Sequence, residues 1–370
     1  MPNQTLDYTK LLGGTEHRLT LQASLTPTSG LDRFQPAGFP EIGHVIYDAP
    51  RGGSVRKVCI VDSAASMANH LEMVCLESER SLELVGDLRG MPYVECRTDE
   101  GWPEVTRRGP HRLVVTTLSE GHRLASSYFL DGLLVENGEP GNRKFLDVLR
   151  AEFGIADLGN RSHPLPEQWW DVFTTIFRYD PNSLVHGILF PALGIKLPRL
   201  LTAHLEAFDA ARVGSSGVKF DKIGKTTSGQ PIFAVDQEVA SEIIATFVID
   251  LSLLRSFGRN DHGLNNNQKQ LLLSLALWKI GRLLQAPFRY RSNCDLELQR
   301  LRIHRNAREN ELAEIELPSV DVATAIENAG FQSPQVSQVY WRAEDLFRAG
   351  EDEALADSPP RDKESEAEEQ

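Results

Sequence analysis

Strand-like and helix-like segments follow one another in an irregular order along this chain, and that order restricts the fold more than any other feature. Residues 19–25 (LTLQASL) alternate apolar and polar side chains, as a half-buried strand does. Residues 56–63 (RKVCIVDS) predict a buried strand that leads into a helix capped by Asp62 or Ser63. A doubly wound sheet needs a regular alternation of strand and helix. The sequence therefore predicts an α+β fold.

The second half of the chain contains two long apolar segments. Residues 236–258 (DQEVASEIIATFVIDLSLLRSFG) predict a helix that ends at a glycine. Residues 268–285 (QKQLLLSLALWKIGRLLQ) predict a second helix, apolar nearly all round and therefore buried. Between the two halves, residues 183–190 (SLVHGILF) suggest a strand, and residues 197–213 fit either a helix or a strand plus a turn.

The charge of −13 is unevenly distributed. Residues 351–370 hold nine acidic and two basic residues, a net charge of −7, which leaves −6 on the other 350 residues. We expect residues 349–370 to form a disordered acidic tail beyond a single domain at 1–348. The glycine-rich segment 214–231 is typical of a flexible basic loop. Seven arginines also gather within 27 residues, at positions 282, 289, 291, 300, 302, 305 and 308.

Four widely spaced cysteines and the absence of a basic-then-apolar leader indicate a cytoplasmic protein with reduced thiols. No stretch approaches the roughly 18 apolar residues that a membrane span needs, so no membrane partner is expected. Motifs for phosphate loops, zinc proteases, hydrolase elbows and dinucleotide folds are missing from the sequence. We therefore predict no cofactor, no metal and no catalytic residue.

Two short motifs leave an enzymatic alternative open. His70 and Glu72 form the HxE of zinc deaminases, but the partner PCxxC is missing. Ser119, Glu120 and His122 lie together after a strand, yet a catalytic triad is assembled from residues distant in sequence. A soluble metabolic enzyme with an unrecognised site remains an alternative.

Four separated pieces of sequence suit an extended nucleic-acid strand. A loop places a guanidinium beside an aromatic ring, a helix start offers backbone N–H groups, a strand end carries His-Arg, and basic residues occupy a loop and a helix end. The candidate RNA-contacting residues are Arg33, Phe34, Gln35, Ser66, Met67, Asn69, His122, Arg123, Lys219, Lys222, Lys225, Arg282, Arg289 and Arg291.

Eight ordered sequence blocks resemble one family. Together they look like the backbone subunit of type I-U (now I-G) CRISPR Cascade, in the RAMP superfamily, over roughly residues 20 to 295. The blocks are FQPAGFPEIGHVIY (34–47), DSAASMANHLEMVC (62–75), LRGMPYV (88–94), TLSEGHRLASSYFL (117–130), RYDPNSLVHG (178–187), LPRLLTAHLEA (197–207), GVKFDK (217–222) and LLLSLALWKI (271–280).

The resemblance implies an RRM or ferredoxin-like palm with large insertions. It also implies a protein without enzymatic activity, whose copies polymerise head to tail along a CRISPR guide RNA beside other Cascade subunits. Target DNA would be recognised through the guide, because base pairing reads the sequence while the protein holds the backbone. Some members of the superfamily cut RNA with a loop aspartate, and Asp32 is the residue that would serve in that alternative.

Overall fold

The computed structural model describes most of the chain. The predicted acidic tail (349–370) and the predicted basic loop (214–231) lie outside the described residues. The described residues are 7–39, 43–51, 53–78, 82–99, 107–108, 111–155, 163–213, 237–304, 313–316, 319–331 and 335–346.

Eight α-helices occur in the described part of the chain, and none of them is long and apolar enough to cross a membrane. They are α1 (Ala64–Met73), α2 (Ser127–Leu130), α3 (Phe145–Glu152), α4 (Trp169–Tyr179), α5 (Pro181–His186), α6 (Leu251–Ser256), α7 (Asn266–Leu284) and α8 (Val322–Asn328).

The described strands form two large sheets and four small ones. They are β1 (Arg18–Pro27), β2 (Arg33–Phe34), β3 (Gly38–Phe39), β4 (Gly43–His44), β5 (Ile46–Arg51), β6 (Ser54–Asp62), β7 (Tyr93–Thr98), β8 (Arg107–Arg108), β9 (His111–Thr116), β10 (Leu133–Glu136), β11 (Glu139–Lys144), β12 (Ile188–Phe190), β13 (Ile195–Leu197), β14 (Leu201–Phe208), β15 (Ala211–Val213), β16 (Gln237–Val239), β17 (Glu242–Asp250), β18 (Gly258–Arg259), β19 (His262–Gly263), β20 (Phe288–Arg291), β21 (Cys294–His304), β22 (Ala313–Ile315) and β23 (Val336–Trp341).

The centre of the larger sheet is a ferredoxin-like palm. Its strands run in the order β20-β21-β1-β17-β14-β6-β5, and all of these neighbours are antiparallel. Within it, β21-β1-β17-β14 is the fourth-first-third-second order of a split βαβ unit. A helical crossover containing α1 joins β1 to β14, and another containing α7 joins β17 to β21. This topology confirms both the α+β prediction and the RRM-like palm.

The two faces of the palm differ in chemistry. Side chains alternate along β1, so that Leu19, Leu21 and Ala23 are buried while the residues between them stay partly exposed. Helix α1 contacts β14 and α7. On the open face, the register places Gln22 between Arg302 of β21 and Thr246 of β17. The open face is therefore polar and carries no aromatic side chain at these positions.

The insertion between β1 and β14 adds the second sheet, ordered β11-β10-β23-β7-β9-β8. Strand β23, from near the end of the described chain, pairs parallel with β7. The buried apolar side chains of both sheets belong to one continuous cluster, which includes Leu21 of the palm and Val94 and Val339 of the second sheet. The insertion is thus packed onto the palm and shares its core.

Two sequence predictions of secondary structure were wrong. The helix predicted at 236–258 is mostly β17, because Ile243, Ala245 and Phe247 face the core with the period of two that a strand requires. The intervening apolar residues hid that alternation. The strand predicted at 183–190 begins as helix α5, whose first turn is capped by Asp180. That helix ends at Gly187, whose φ of 77° favours glycine.

Candidate nucleic-acid interface

The start of α1 is organised by one buried carboxylate, that of Asp62 at the end of β6. Its oxygens accept hydrogen bonds from the backbone N–H of Ser63 (2.9 Å) and the Ser66 hydroxyl (3.0 Å). They also contact His70 Nε2 (2.9 Å) and Arg291 Nη2 (2.7 Å). Burial acts to raise the pKa of Asp62, but the His70 hydrogen bond and the Arg291 charge outweigh it and lower that pKa. The carboxylate therefore stays ionised and ties α1 to Arg291.

Arg291 comes from the β20–β21 hairpin, which also packs aromatic rings against α1. The rings of Phe288 and Tyr290 meet the His70 ring edge-on, with centroids 5.3 and 5.5 Å away. At the hairpin turn, the Asn293 carbonyl accepts from the backbone N–H of Gln35 at 2.8 Å. Three segments that lie far apart in sequence meet here. We name Gln35, Asp62, Ser66, His70, Arg291 and Asn293 the Asp62 cluster.

The Asp62 cluster does not have the geometry of a catalytic triad. In a triad the acid contacts one ring nitrogen of histidine and the nucleophile contacts the other. Here Asp62 Oδ2 lies 2.9 Å and Ser66 Oγ 3.4 Å from the same atom, His70 Nε2. The arrangement fixes side chains in place and leaves no free base beside the hydroxyl.

Several predicted contact residues are exposed on the surface. Arg33 has half of its side chain exposed, and Asn69 is exposed on α1. Arg289 is exposed and pairs with Asp295 at 2.8 Å. Arg282 is exposed near the end of α7, where its Nη1 lies 3.4 Å from Gln285 Oε1. Lys219, Lys222 and Lys225 lie outside the described residues.

Three predicted contact residues are buried and unsuited to touching RNA. Phe34 is 1% exposed and Met67 is fully buried, so both belong to the hydrophobic core. Arg123 is also buried, and its guanidinium holds Glu72 in a two-pronged pair at 2.6 and 2.8 Å. Its neighbour His122 is the opposite case: its side chain is 83% exposed and contacts Glu120 at 3.2 Å. The His-Arg motif therefore splits between surface and core.

A second set of polar side chains, all of them buried, is centred on Glu72. Asn182 donates to Glu72 Oε1 at 2.7 Å and also accepts from the Lys279 ammonium, which lies 2.8 Å from His186 Nε2. Burial raises the pKa of Asp180 to about 7 and lowers that of His186 well below its ordinary value. We name Glu72, Arg123, Asp180, Asn182, His186 and Lys279 the Glu72 cluster.

Sequence reasoning missed the Glu72 cluster, although one signal was present. Lys279 lies in a helix apolar nearly all round, and a lysine there must find buried partners. His70 and Glu72 point apart, as residues two positions apart on a helix do: His70 contacts Asp62 while Glu72 holds Arg123. No group of three metal-binding side chains occurs among the residues described above.

The family comparison identifies the chain. Residues 19–212, slightly more than half of its length, match the family described as CRISPR-associated protein GSU0053. The chain is thus a CRISPR-associated protein. It belongs to the GSU0053 family (Cas_GSU0053), which confirms the resemblance found in the sequence blocks.

Two of the solved structures that match the chain show the extent of the likeness. One is Csc2 of Thermofilum pendens, with 11% identity and a TM-score of 0.31 over 96% of this chain and 81% of that chain. The other is from a CRISPR RNA-guided surveillance complex in its pre-nicking state, with 12% identity and a TM-score of 0.35 over 77% and 75%. No curated protein sequence matches the chain.

Proposed function

We propose that this chain is the backbone subunit of a type I-U/I-G Cascade. Its copies bind a CRISPR guide RNA and polymerise head to tail along the spacer, beside other Cascade subunits, so that the guide can pair with target DNA. The protein holds backbone and shape, and base pairing supplies the specificity. In this role the chain catalyses no reaction itself.

The observation that carries the proposal is the meeting of three segments at the Asp62 cluster. Residues 33–35, the start of α1 and the arginines that now lie in the β20–β21 hairpin were each selected from sequence as RNA-contacting pieces, and hydrogen bonds join these segments. Arg33, Asn69 and Arg289 are exposed around that junction. Such a junction supports one continuous surface for a strand, since phosphate contacts position a nucleic acid through cations and backbone N–H groups.

The polar side chains on the open face of the palm favour contacts to the RNA backbone over recognition of individual bases. RRM sheets that read bases stack them on aromatic side chains. Here the central row is Arg302, Gln22, Thr246 and His204, so the imidazole of His204 is its one ring and the other three side chains are cationic or hydrogen-bonding groups. A subunit that must accept any spacer sequence needs contacts that do not depend on the base.

Purified protein mixed with a CRISPR RNA is the first test. We expect a high ultraviolet absorbance ratio from co-purifying RNA, or a shift to larger gel-filtration size when the guide is added at low salt. The proposal would be refuted by a clean monomer whose elution ignores CRISPR RNA.

The basic loop supplies a sharper prediction from sequence. The double variant Lys219→Glu with Lys222→Glu should bind the guide more weakly, and its binding should depend less on salt. Each lost phosphate contact on a single strand reduces the slope of log K against log salt by about 0.7. Fluorescence anisotropy at several salt concentrations measures both. As a matched control, Lys10→Glu with Lys57→Glu changes two exposed lysines elsewhere. If the two double variants show equal salt slopes, the loop does not contact the guide.

A further inference from the structure

Arg199 is a cation that sequence reasoning did not select. It lies in the turn between β13 and β14 and is partly buried. Its Nη1 donates to the carbonyl oxygen of Ala64, in the first turn of α1, at 2.9 Å. Among the described residues this is its one hydrogen bond, and no carboxylate there lies within ion-pair distance of it; Glu72 acts on its charge only at longer range. A guanidinium has five N–H donors, so most of its donors are free for a ligand.

The charges of Arg199 and the Glu72 cluster do not balance when they are counted together. Arg199 lies close enough to Arg123 for the two charges to interact, and burial followed by that repulsion lowers the pKa of Arg199. The cations of this region are Arg123, Lys279 and Arg199, and the facing acids are Glu72 and Asp180. Because burial raises the pKa of Asp180 to about 7, that acid is only partly ionised near neutral pH.

The remaining ionisable neighbour, His186, contributes no charge to this region. His186 contacts Lys279 and stays neutral, since burial and the nearby cations hold its pKa well below its ordinary value. Three cations therefore face one full and one partial negative charge, and Arg199 itself supplies one unit of the resulting excess; the Glu72 cluster beneath it is neutral when Asp180 is fully ionised. Arg123 and Lys279 are buried, so the excess is accessible to a ligand only through Arg199.

The position of Arg199 complements that of Arg291. Both guanidinium groups flank the start of α1, Arg291 through Asp62 and Arg199 through Ala64. Arg291 is neutralised by the Asp62 carboxylate. Arg199 is the member of this pair whose charge is left for an external anion.

We propose that Arg199 binds a phosphodiester group of the guide strand at the start of α1. This inference rests on the proposed guide-binding function and adds a specific phosphate site to it. The planar fork of arginine matches the oxygens of a phosphate. The contact reads no base, so it suits a guide of any sequence.

The test compares guide affinity and salt slope for the wild type, Arg199→Gln and Arg199→Lys by fluorescence anisotropy. Arg199→Gln should weaken binding about tenfold at low salt and reduce the slope of log K against log salt by about 0.7. Arg199→Lys keeps the charge and should keep the slope. Arg259→Gln, which changes an exposed arginine on the β18–β19 hairpin, is the matched control and should change neither. Single-stranded DNA of the same sequence should show the same loss of slope, because the contact is to phosphate.

The outcomes separate the two proposals. A wild type that binds no guide overturns the guide-binding function and this inference with it. A wild type that binds, with a folded Arg199→Gln variant of unchanged affinity and slope, overturns the phosphate site and leaves the function standing. Thermal unfolding establishes whether the variant is folded. If Arg199→Gln does not fold, Arg199→Lys decides: affinity should fall a few-fold through loss of the fork, and unchanged affinity overturns the site.

Discussion

Replacing Glu72 by alanine should lower the free energy of unfolding by about 3–5 kcal/mol, because it leaves Arg123 buried without its counter-charge. The carboxylate accepts two hydrogen bonds from that guanidinium and one from Asn182, all within 2.8 Å. Asn182 in turn accepts from Lys279, so the loss extends to a second buried cation. Urea denaturation should show a large drop in the unfolding midpoint.

The matched control for this prediction is Glu136→Ala. Glu136 also pairs with an arginine, Arg143, at 2.7 Å, but both side chains are about half exposed. A surface pair of this kind contributes about 0–1 kcal/mol. A double variant, Glu72→Leu with Arg123→Met, should recover much of the stability, since no lone charge remains at that pair. If Glu72→Ala shifts the midpoint no more than Glu136→Ala does, the buried pair does not hold the core together.

Replacing Asp180 by asparagine should make the protein progressively more stable than the wild type as the pH rises. Burial raises the pKa of Asp180 to about 7, so the folded protein retains a proton that the unfolded chain releases near pH 4. The stability that this proton confers is complete below about pH 4 and is lost as the pH rises through 7. Asparagine lacks that titration. The difference in unfolding free energy between variant and wild type should grow by about 4 kcal/mol from pH 4 to 8.

His186 makes this comparison more informative. Its pKa is lowered by burial, so the stability from its neutral form is present above about pH 6.5 and is lost as the pH falls. That trend opposes the trend of Asp180, and the two partly cancel in the wild type. The Asp180→Asn variant should therefore lose stability more steeply on acidification. Asp131→Asn, at an exposed carboxylate paired with Lys144, is the matched control. A pH-independent difference for Asp180→Asn would contradict the account.

Elements of the palm were predictable from the sequence where the local pattern of side chains agreed with the position of the element in the fold. The alternation in β1 and the Ser63 cap of α1 both follow from short-range rules, and the all-apolar α7 is buried as expected. Strand β17 was missed because its outward-facing side chains include Ile244 and Val248, so apolar residues stand on both faces. Only pairing with β1 and β14 selects the strand, and that information is not local.

The separate segments of the candidate interface were predictable from sequence, but their meeting in the folded chain was not. Residue chemistry selected the loop, the helix start and the hairpin arginines, and the structure joins them through Asp62 and Asn293. The sequence did not show which of the candidate side chains are buried. Phe34 and Arg123 have the side chains that RNA contacts need, yet one fills the core and the other neutralises Glu72. Arg199 was overlooked because its significance depends on buried charges that are distant in sequence, those of Arg123 and Glu72.

The mass of the complex with guide RNAs of two spacer lengths tests the central claim most directly. The account predicts that the protein assembles in several copies on each guide, and that lengthening the spacer raises the mass in whole-subunit steps of about 41 kDa. Light scattering after gel filtration resolves such steps. One copy on each guide at both lengths, or no complex at all, would contradict the assignment of this chain as a guide-holding backbone subunit.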